Sequence, residues 1–250
     1  MNAFPKLLVQ DLNFSISGQK IFSNIQFQLE RGEIVSLLGP SGCGKSSLLK
    51  AICGVVQTQS GKIHFDPESK NDFAALSPQT GLLLPWLTIE ENIRFFIEKG
   101  KPESRQEQKE EISEALRSTG LAQIQKKYPA EISVGMAQRV SILRAFLSHA
   151  SLIVLDEPFN GLDFQTRDKT ISFLLTLWKS FRPTILLVTH NLEEAVWLSH
   201  KVLLMGPDPR GIFKEIRIKD LREDVDLEPS FRRRNDIETI TRIIQEETAP

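Results

Sequence analysis

Residues 34–52 read Ile34-Val35-Ser36-Leu37-Leu38, then Gly39-Pro40-Ser41-Gly42-Cys43-Gly44-Lys45-Ser46, then Ser47-Leu48-Leu49-Lys50-Ala51-Ile52. The first five are a buried-strand run and the last six are helix-forming. The eight between them complete G-x-x-x-x-G-K-[ST], a phosphate-binding loop in its proper strand–loop–helix setting. A triphosphate is a dense cluster of negative oxygens, so its site needs many donors and no bulky side chains. Gly39, Gly42 and Gly44 let the backbone curl until successive N–H groups point inward as an anion nest. Lys45 then reaches the β- and γ-phosphates, and the Ser46 hydroxyl is placed to ligate Mg²⁺. The following helix turns its positive N-terminal end to the same phosphates. Pro40, Ser41, Cys43 and Ser47 complete the expected lining.

At 250 residues the chain can bury a good core, as one large domain or one domain carrying an inserted subdomain. Lys plus Arg (31) nearly cancels Asp plus Glu (32), for a net charge of −1. That balance points away from nucleic acid, whose phosphates need a basic face. The two cysteines, Cys43 and Cys53, make no disulfide framework, and one sits inside the phosphate loop, which fits a reducing compartment. No apolar run reaches the roughly 18 residues needed to span a bilayer, and the N-terminus lacks a signal-peptide core. A cytosolic globular protein is expected, meeting any membrane through a partner.

Outward from the loop, Leu7 to Leu29 alternates apolar and polar residues, as half-buried antiparallel strands do. Residues 61–65 read as another short strand. From Leu87 to about Leu147 the pattern turns helical: Thr88 to Phe96, a charged amphipathic helix from Arg105 to Ser118 with Ile112, Ala115 and Leu116 inward, and Met136 to Leu147. Continuous apolar strands return at Leu152–Leu155 and Thr184–Val188, with a helix Thr166–Ser180 between them and a further strand at Lys201–Met205. The stretch from Lys219 ends in a helical pattern.

Binding alone does not hydrolyse; that takes a metal carboxylate and a group to orient water. Asp156 is expected at the tip of its buried strand, next to the phosphate-loop strand and within reach of the Mg²⁺ shell. Glu157, one residue on, can polarise the attacking water as general base. His190 ends the next strand, where it would face the γ-phosphate from the other side. Gln79, after Ala75-Leu76-Ser77-Pro78, is a further candidate for metal or water.

These motifs, in this order, resemble the ATP-binding cassette (ABC) transporter ATPases over about Leu7 to Met205. After the phosphate loop come Gln79 as the Q-loop and Ser133-Val134-Gly135-Met136-Ala137-Gln138-Arg139 as the signature. Leu152–Glu157 follows as the Walker B strand, Asn160-Gly161-Leu162-Asp163 as the D-loop and His190 as the switch histidine. The resemblance implies an α/β fold, a P-loop NTPase core with an antiparallel β subdomain and an inserted α-helical subdomain. The boundaries are residues 1–218, with 87–147 inserted, and a C-terminal helical extension over 219–250. It implies a catalytic set of Lys45, Gln79, Glu157 and His190, with Ser46, Gln79 and Asp156 holding Mg²⁺. It also implies a head-to-tail homodimer that sandwiches two ATPs, with Ser133 and Gly135 of one subunit acting in trans and Asp163 reporting across the interface.

The helical region resembles the subdomain that docks an integral membrane permease, with Leu82-Leu83-Leu84-Pro85-Trp86-Leu87 lining the groove for its coupling helix. Finer wording, in Leu83–Thr88, Asp156–Phe159, Leu162–Arg167 and His190–Val196, is similar to the nitrate/sulfonate/taurine-type importer ATPases. Those serve a permease dimer and an extracytoplasmic solute-binding protein, from the cytoplasmic face of the cell membrane. Two other readings stay open: a cassette ATPase outside transport, and an ATP-dependent dimerisation module with weak hydrolysis.

Two positions depart from the family. Val134 replaces the first of two signature glycines; if that glycine serves a left-handed torsion, a β-branched residue strains the loop and weakens ATP-driven closure. Ile16 stands where the family stacks an aromatic ring on adenine, offering apolar contact without π-stacking and so loose selectivity over guanine. Phe14 is the alternative ring, on the same strand face one step away.

Overall fold

Alternation folds the N-terminal part: Leu7–Ile16 (β1) and Gln19–Leu29 (β2) pair antiparallel, and Ser60–Phe65 (β4) pairs with β1 on its other edge. The computed structural model describes residues 5–68, 73–79, 83–97, 105–206, 211–218, 238 and 241–243. Between β2 and β4 the chain makes Ile34–Leu38 (β3) and the helix Lys45–Ile52 (α1). Beyond β4 come Ala74–Ser77 (β5), then Ile89–Ile97 (α2), Arg105–Ser118 (α3) and Val134–Leu147 (α4). Leu152–Asp156 (β6), Phe164–Phe181 (α5), Ile185–Thr189 (β7), Leu192–Leu198 (α6), Lys201–Met205 (β8) and Ile212–Arg217 (β9) follow, and short 3-10 turns at Ala122–Ile124 and Pro129–Glu131 lie between α3 and α4. β9, antiparallel to β8, has no counterpart in the sequence reading. Only Ile212, Phe213 and Ile216 are half-buried while Lys214, Glu215 and Arg217 are exposed, so it lacks the apolar run that marks its neighbours.

Six strands form one sheet in the order β5-β6-β7-β3-β8-β9, parallel except for β9. The unbroken apolar runs follow from covering both faces. Leu152 and Val154 of β6, with Leu186 and Val188 of β7, face α1 and the antiparallel sheet. Ile153, Leu155, Ile185 and Leu187 face α4 and α5, in a buried cluster that continues into α2 and α3. Ile112 and Leu116 of α3 are fully buried there, as its pattern predicts. The C-terminal stretch lies almost wholly outside the described residues; within it, Ile243 packs against the small buried cluster of Leu38, Ala195, Val196, Val202, Leu204 and Ile218.

The loop before α2 is held from below. Thr88 and Glu91 form a reciprocal cap at the start of α2, the Thr88 N–H donating to Glu91 Oε2 at 2.8 Å and the Glu91 N–H to Thr88 Oγ1 at 3.3 Å. Asn92, completely buried, donates to the carbonyls of Leu84, Leu87 and Thr88 at 3.1, 3.0 and 3.0 Å. Its Oδ1 accepts from the Leu84 N–H at 2.7 Å. One amide therefore satisfies one loop segment, while Trp86 at its crest is 70% exposed. Asn92→Ala strands the Leu84 N–H and the Leu87 carbonyl, while the Leu84 and Thr88 carbonyls keep the backbone N–H groups of Leu87 and Asn92; it is expected to lower the unfolding free energy by about 3 kcal/mol. Denaturant melts measure it; a loss below about 1 kcal/mol would mean that water replaces the amide without cost.

Candidate nucleotide site

The loop from Gly39 to Gly44 joins β3 to α1 as its residues demand. Gly44 caps α1 at φ 102°, a torsion L side chains avoid. A Cβ on Gly39 would lie 2.5 Å from the Met205 carbonyl of β8, so that turn admits only glycine. Lys45 is buried, its Nζ donating to the carbonyls of Gly39 at 2.8 Å and Pro40 at 2.7 Å, which holds the ammonium inside the curl. Pro40, Ser41, Gly42 and Ser46 are exposed along the loop, whereas Cys43 turns inward and burial pushes its thiol up, against the Lys45 charge.

Asp156 does not sit beside the phosphate-loop strand: β7 lies between β3 and β6. The reason is the crossover, since α1 packs over the apolar face that β6 and β7 share. The Ser46 hydroxyl, in the first turn of α1, still lies near enough to Asp156 to oppose the rise of its carboxyl. Burial raises the Asp156 carboxyl above its ordinary range, opposed by that hydroxyl, while the neighbouring Glu157 adds to the rise and Lys45 opposes it. The intervening strand ends at Thr189, so His190 emerges between the loop and the acidic pair.

Glu157 leaves the strand with φ 46°, a left-handed torsion that is rare outside glycine and recurs at functional sites. Its carboxylate turns from Asp156 to three other residues. Gln79 Nε2 donates to Oε2 at 3.1 Å, Asn160 Nδ2 donates to the same oxygen at 3.0 Å, and His190 Nδ1 lies 3.2 Å from Oε1. The fold thus gathers Gln79, Glu157 and His190 from three chain segments. Asn160 joins them although the sequence marks it only as part of the D-loop; its place three residues after Glu157 was the available signal.

His190 is bracketed by a buried network that its sequence context does not announce. The Thr189 hydroxyl donates to Glu194 Oε2 at 2.6 Å and accepts from the Asn191 N–H at 3.0 Å. Burial holds the Glu194 carboxyl above its ordinary range, opposed first by that hydroxyl and then by the Arg167 and His190 charges. A raised folded pKa means that protonated Glu194 suits the fold and that its contribution is lost as pH rises through the folded value. Glu194→Gln is therefore expected to gain stability relative to wild type as pH rises from the ordinary carboxyl value of 4.5 through the raised folded value. Parallel denaturant melts check the sign; a constant or shrinking difference contradicts it.

Ser133 and Gly135 stand apart from this cluster. Ser133 is the N-cap of α4, accepting the Met136 N–H at 3.3 Å. The helix starts at Val134, two residues before the sequence pattern places it. Val134 is absent from the positive-φ residues and occupies the first helical position, where a β-branched side chain fits. The expected strain in the signature loop is therefore not there; what valine adds is an apolar side chain 68% exposed. Ile16, at the tip of the β1–β2 hairpin, is 51% exposed, but Phe14 is not an alternative ring. Register irregularities on both sides of Phe14 break the strand's alternation, and its ring is buried against Phe22 with centroids 5.6 Å apart.

The ABC transporter family pattern matches residues 22–160, from the hairpin through the phosphate loop and the signature to Asn160. The chain belongs to this family. The aliphatic sulfonates import ATP-binding protein of Bacillus cereus (strain ZK / E33L) is 40% identical over 206 residues, covering 80% of this chain and 79% of the relative. The nitrate import ATP-binding protein of Synechocystis sp. (strain ATCC 27184 / PCC 6803 / Kazusa) is 35% identical over 219 residues, covering 85% and 82%. Among solved structures, a metal-chelate type ABC transporter in an inward-facing conformation superposes with a TM-score of 0.74 at 27% identity, covering 88% of this chain and 86% of the other. The two sheets and their helices are thus the α/β ABC ATPase fold, and the family to which the chain belongs binds ATP. Among the described residues no helix is long and apolar enough to cross a membrane.

Proposed function

We propose that the chain is the ATP-hydrolysing subunit of an importer for small oxyanionic solutes of the sulfonate, taurine or nitrate type. The observation that carries this reading is the convergence of Gln79, Asn160 and His190 on the Glu157 carboxylate, one residue from the aspartate that faces Ser46. Lys45 and the loop amides hold the β- and γ-phosphates. Glu157 accepts a proton from water as its oxygen attacks the γ-phosphorus; the bond to the bridging oxygen breaks, leaving ADP and phosphate. Gln79 and His190 fix the carboxylate's orientation during that step.

Ser46 and Asp156 are hard oxygen donors, and among the described residues no group of three His, Cys, Asp or Glu could cage an ion. That donor set fits Mg²⁺, which binds through one or two carboxylates plus substrate phosphates, with Gln79 as a further ligand. When bound, Mg²⁺ would neutralise charge developing on the phosphates.

Two copies would close head to tail over two ATPs, Ser133 and Gly135 of each completing the other's site. The exposed Trp86, on a loop pinned by Asn92, suits docking to the permease's coupling helix at the cytoplasmic face of the cell membrane; Leu82 of that segment lies outside the described residues. A solute-binding protein would deliver cargo from the far side. The domain boundaries belong to the same proposal: 1–218 with 87–147 inserted, then the extension 219–250.

The test is reconstitution in vesicles with the neighbouring permease and binding protein: ATP hydrolysis should rise with the cognate sulfonate or nitrate and labelled solute should accumulate. Hydrolysis indifferent to every such solute would reject the importer reading. At the base site, isoleucine predicts that GTP competes well with ATP, and Ile16→Tyr should tighten ATP binding by roughly two- to tenfold through stacking. Fluorescent-nucleotide titrations read both; a wild type that already prefers ATP strongly overturns this account of Ile16.

A further inference from the structure

Gly135 is buried in the first turn of α4, and a Cβ built there would overlap the Cγ2 methyl of Thr166 on α5. Thr166 is held by its backbone on either side of that methyl: its N–H bonds Asp163 Oδ1 at 3.1 Å, and its carbonyl accepts from the Thr170 hydroxyl at 2.8 Å. Its hydroxyl lies near enough to Asp163 to help hold that carboxyl below its ordinary range. A β-branched side chain has few staggered positions in a helix, and the one Thr166 occupies seats the methyl against Gly135. The same residue thus ties the N-cap of α5 and touches the bare Cα just inside the N-cap of α4. Ser133 and Asp163, the two caps, are both exposed on the outer side of this contact, as are Val134 and Phe164 beside them.

We propose that Thr166 is a positioning residue: its methyl, seated on Gly135, locks the starts of α4 and α5 together and presents Ser133 and Asp163 as one rigid edge to the second copy of the chain. This rests on the dimer reading above and changes what Gly135 is for. The glycine is required by a helix contact within its own subunit, and closure on the partner's ATP depends on it through that contact. A side chain at 135 would push the two helix starts apart by the width of a methyl group, and interdigitated interiors do not absorb such shifts freely.

The experiment pairs a variant with its repair. Gly135→Ala should reduce ATP-driven dimerisation and ATP hydrolysis at least about tenfold and lower the melting temperature. Adding Thr166→Ser removes only the methyl and keeps the hydroxyl for Asp163; the double variant should recover to within about threefold of wild type and regain the melting temperature. Thr166→Ser alone deletes the methyl that joins the two helix starts and should lower both readouts about threefold or more, whereas the double variant moves the methyl to position 135. A Thr166→Ser protein indistinguishable from wild type would show that the methyl locks nothing. A double variant as impaired as Gly135→Ala, or as unable to fold, overturns the proposal, because the glycine then serves the nucleotide side. So does a Gly135→Ala protein that behaves as wild type. If wild type neither dimerises with ATP nor hydrolyses it, the functional reading fails instead. The melting temperatures still decide the helix contact in that case, since they need no nucleotide.

Discussion

Glu157→Gln abolishes turnover while ATP stays bound: hydrolysis falls by about 10²–10⁴-fold, the contribution typical of a positioned general base. Glutamine has the shape of glutamate, so the left-handed turn at 157 and the Val188 carbonyl's bond to its N–H at 2.9 Å remain. What it loses is the ability to take a proton from water. It also loses one of the two acceptor oxygens that Gln79, Asn160 and His190 address. With binding intact and the exit blocked, the ATP-loaded dimer accumulates, visible as a doubled mass in size-exclusion chromatography with ATP but not ADP. Phosphate release within tenfold of wild type would assign the base elsewhere and make the Glu157 cluster a structural clasp.

Lys45→Ala weakens ATP binding by roughly 10²–10⁴-fold, as expected for losing charge-assisted hydrogen bonds worth about 1.5–3 kcal/mol each to two phosphates. The same ammonium bonds the Gly39 and Pro40 carbonyls, so its loss also loosens the curl that forms the anion nest. Calorimetric titration of ATP into the variant measures the affinity. The melting temperature separates the effects: a protein that melts near wild type and binds poorly has lost phosphate contacts. An affinity within tenfold of wild type would mean that the backbone amides and the helix N-terminus carry the phosphates unaided.

Much of the molecule is legible in contiguous residues. The strand faces follow from runs such as Leu152–Leu155, which must be covered on both sides, and the Thr88–Glu91 cap is written in a four-residue pattern. The amphipathic α3 and the phosphate loop are legible for the same reason, because each meets its partners within a few residues. Asn92 is the contrary case. Nothing in Glu91-Asn92-Ile93 distinguishes an exposed asparagine from one that holds a loop by four hydrogen bonds.

Two expectations drawn from the departures also changed meaning. Val134 reads as strain when a glycine is taken to imply left-handed torsion, but the cap at Ser133 starts the helix early enough to give valine an ordinary one. Phe14 reads as a spare ring by strict alternation, and irregular pairing turns it into the core.

The order of strands lay beyond the reach of local pattern. Consecutive segments suggest that β6 should adjoin β3, yet α1 crosses to cover β6 and β7 together, and His190 rises between the two tips. The same holds for the contacts that give the residues their chemistry, since Gln79 and Glu157 are 78 positions apart and Thr166 meets Gly135 across two helices. Local spacing and polarity suffice to identify a phosphate loop, a carboxylate pair and the faces of strands, because those depend on neighbours in the chain. Which carboxylate meets Ser46 and which meets His190 depends on how the sheet is crossed and packed, and close packing across distant segments settles that.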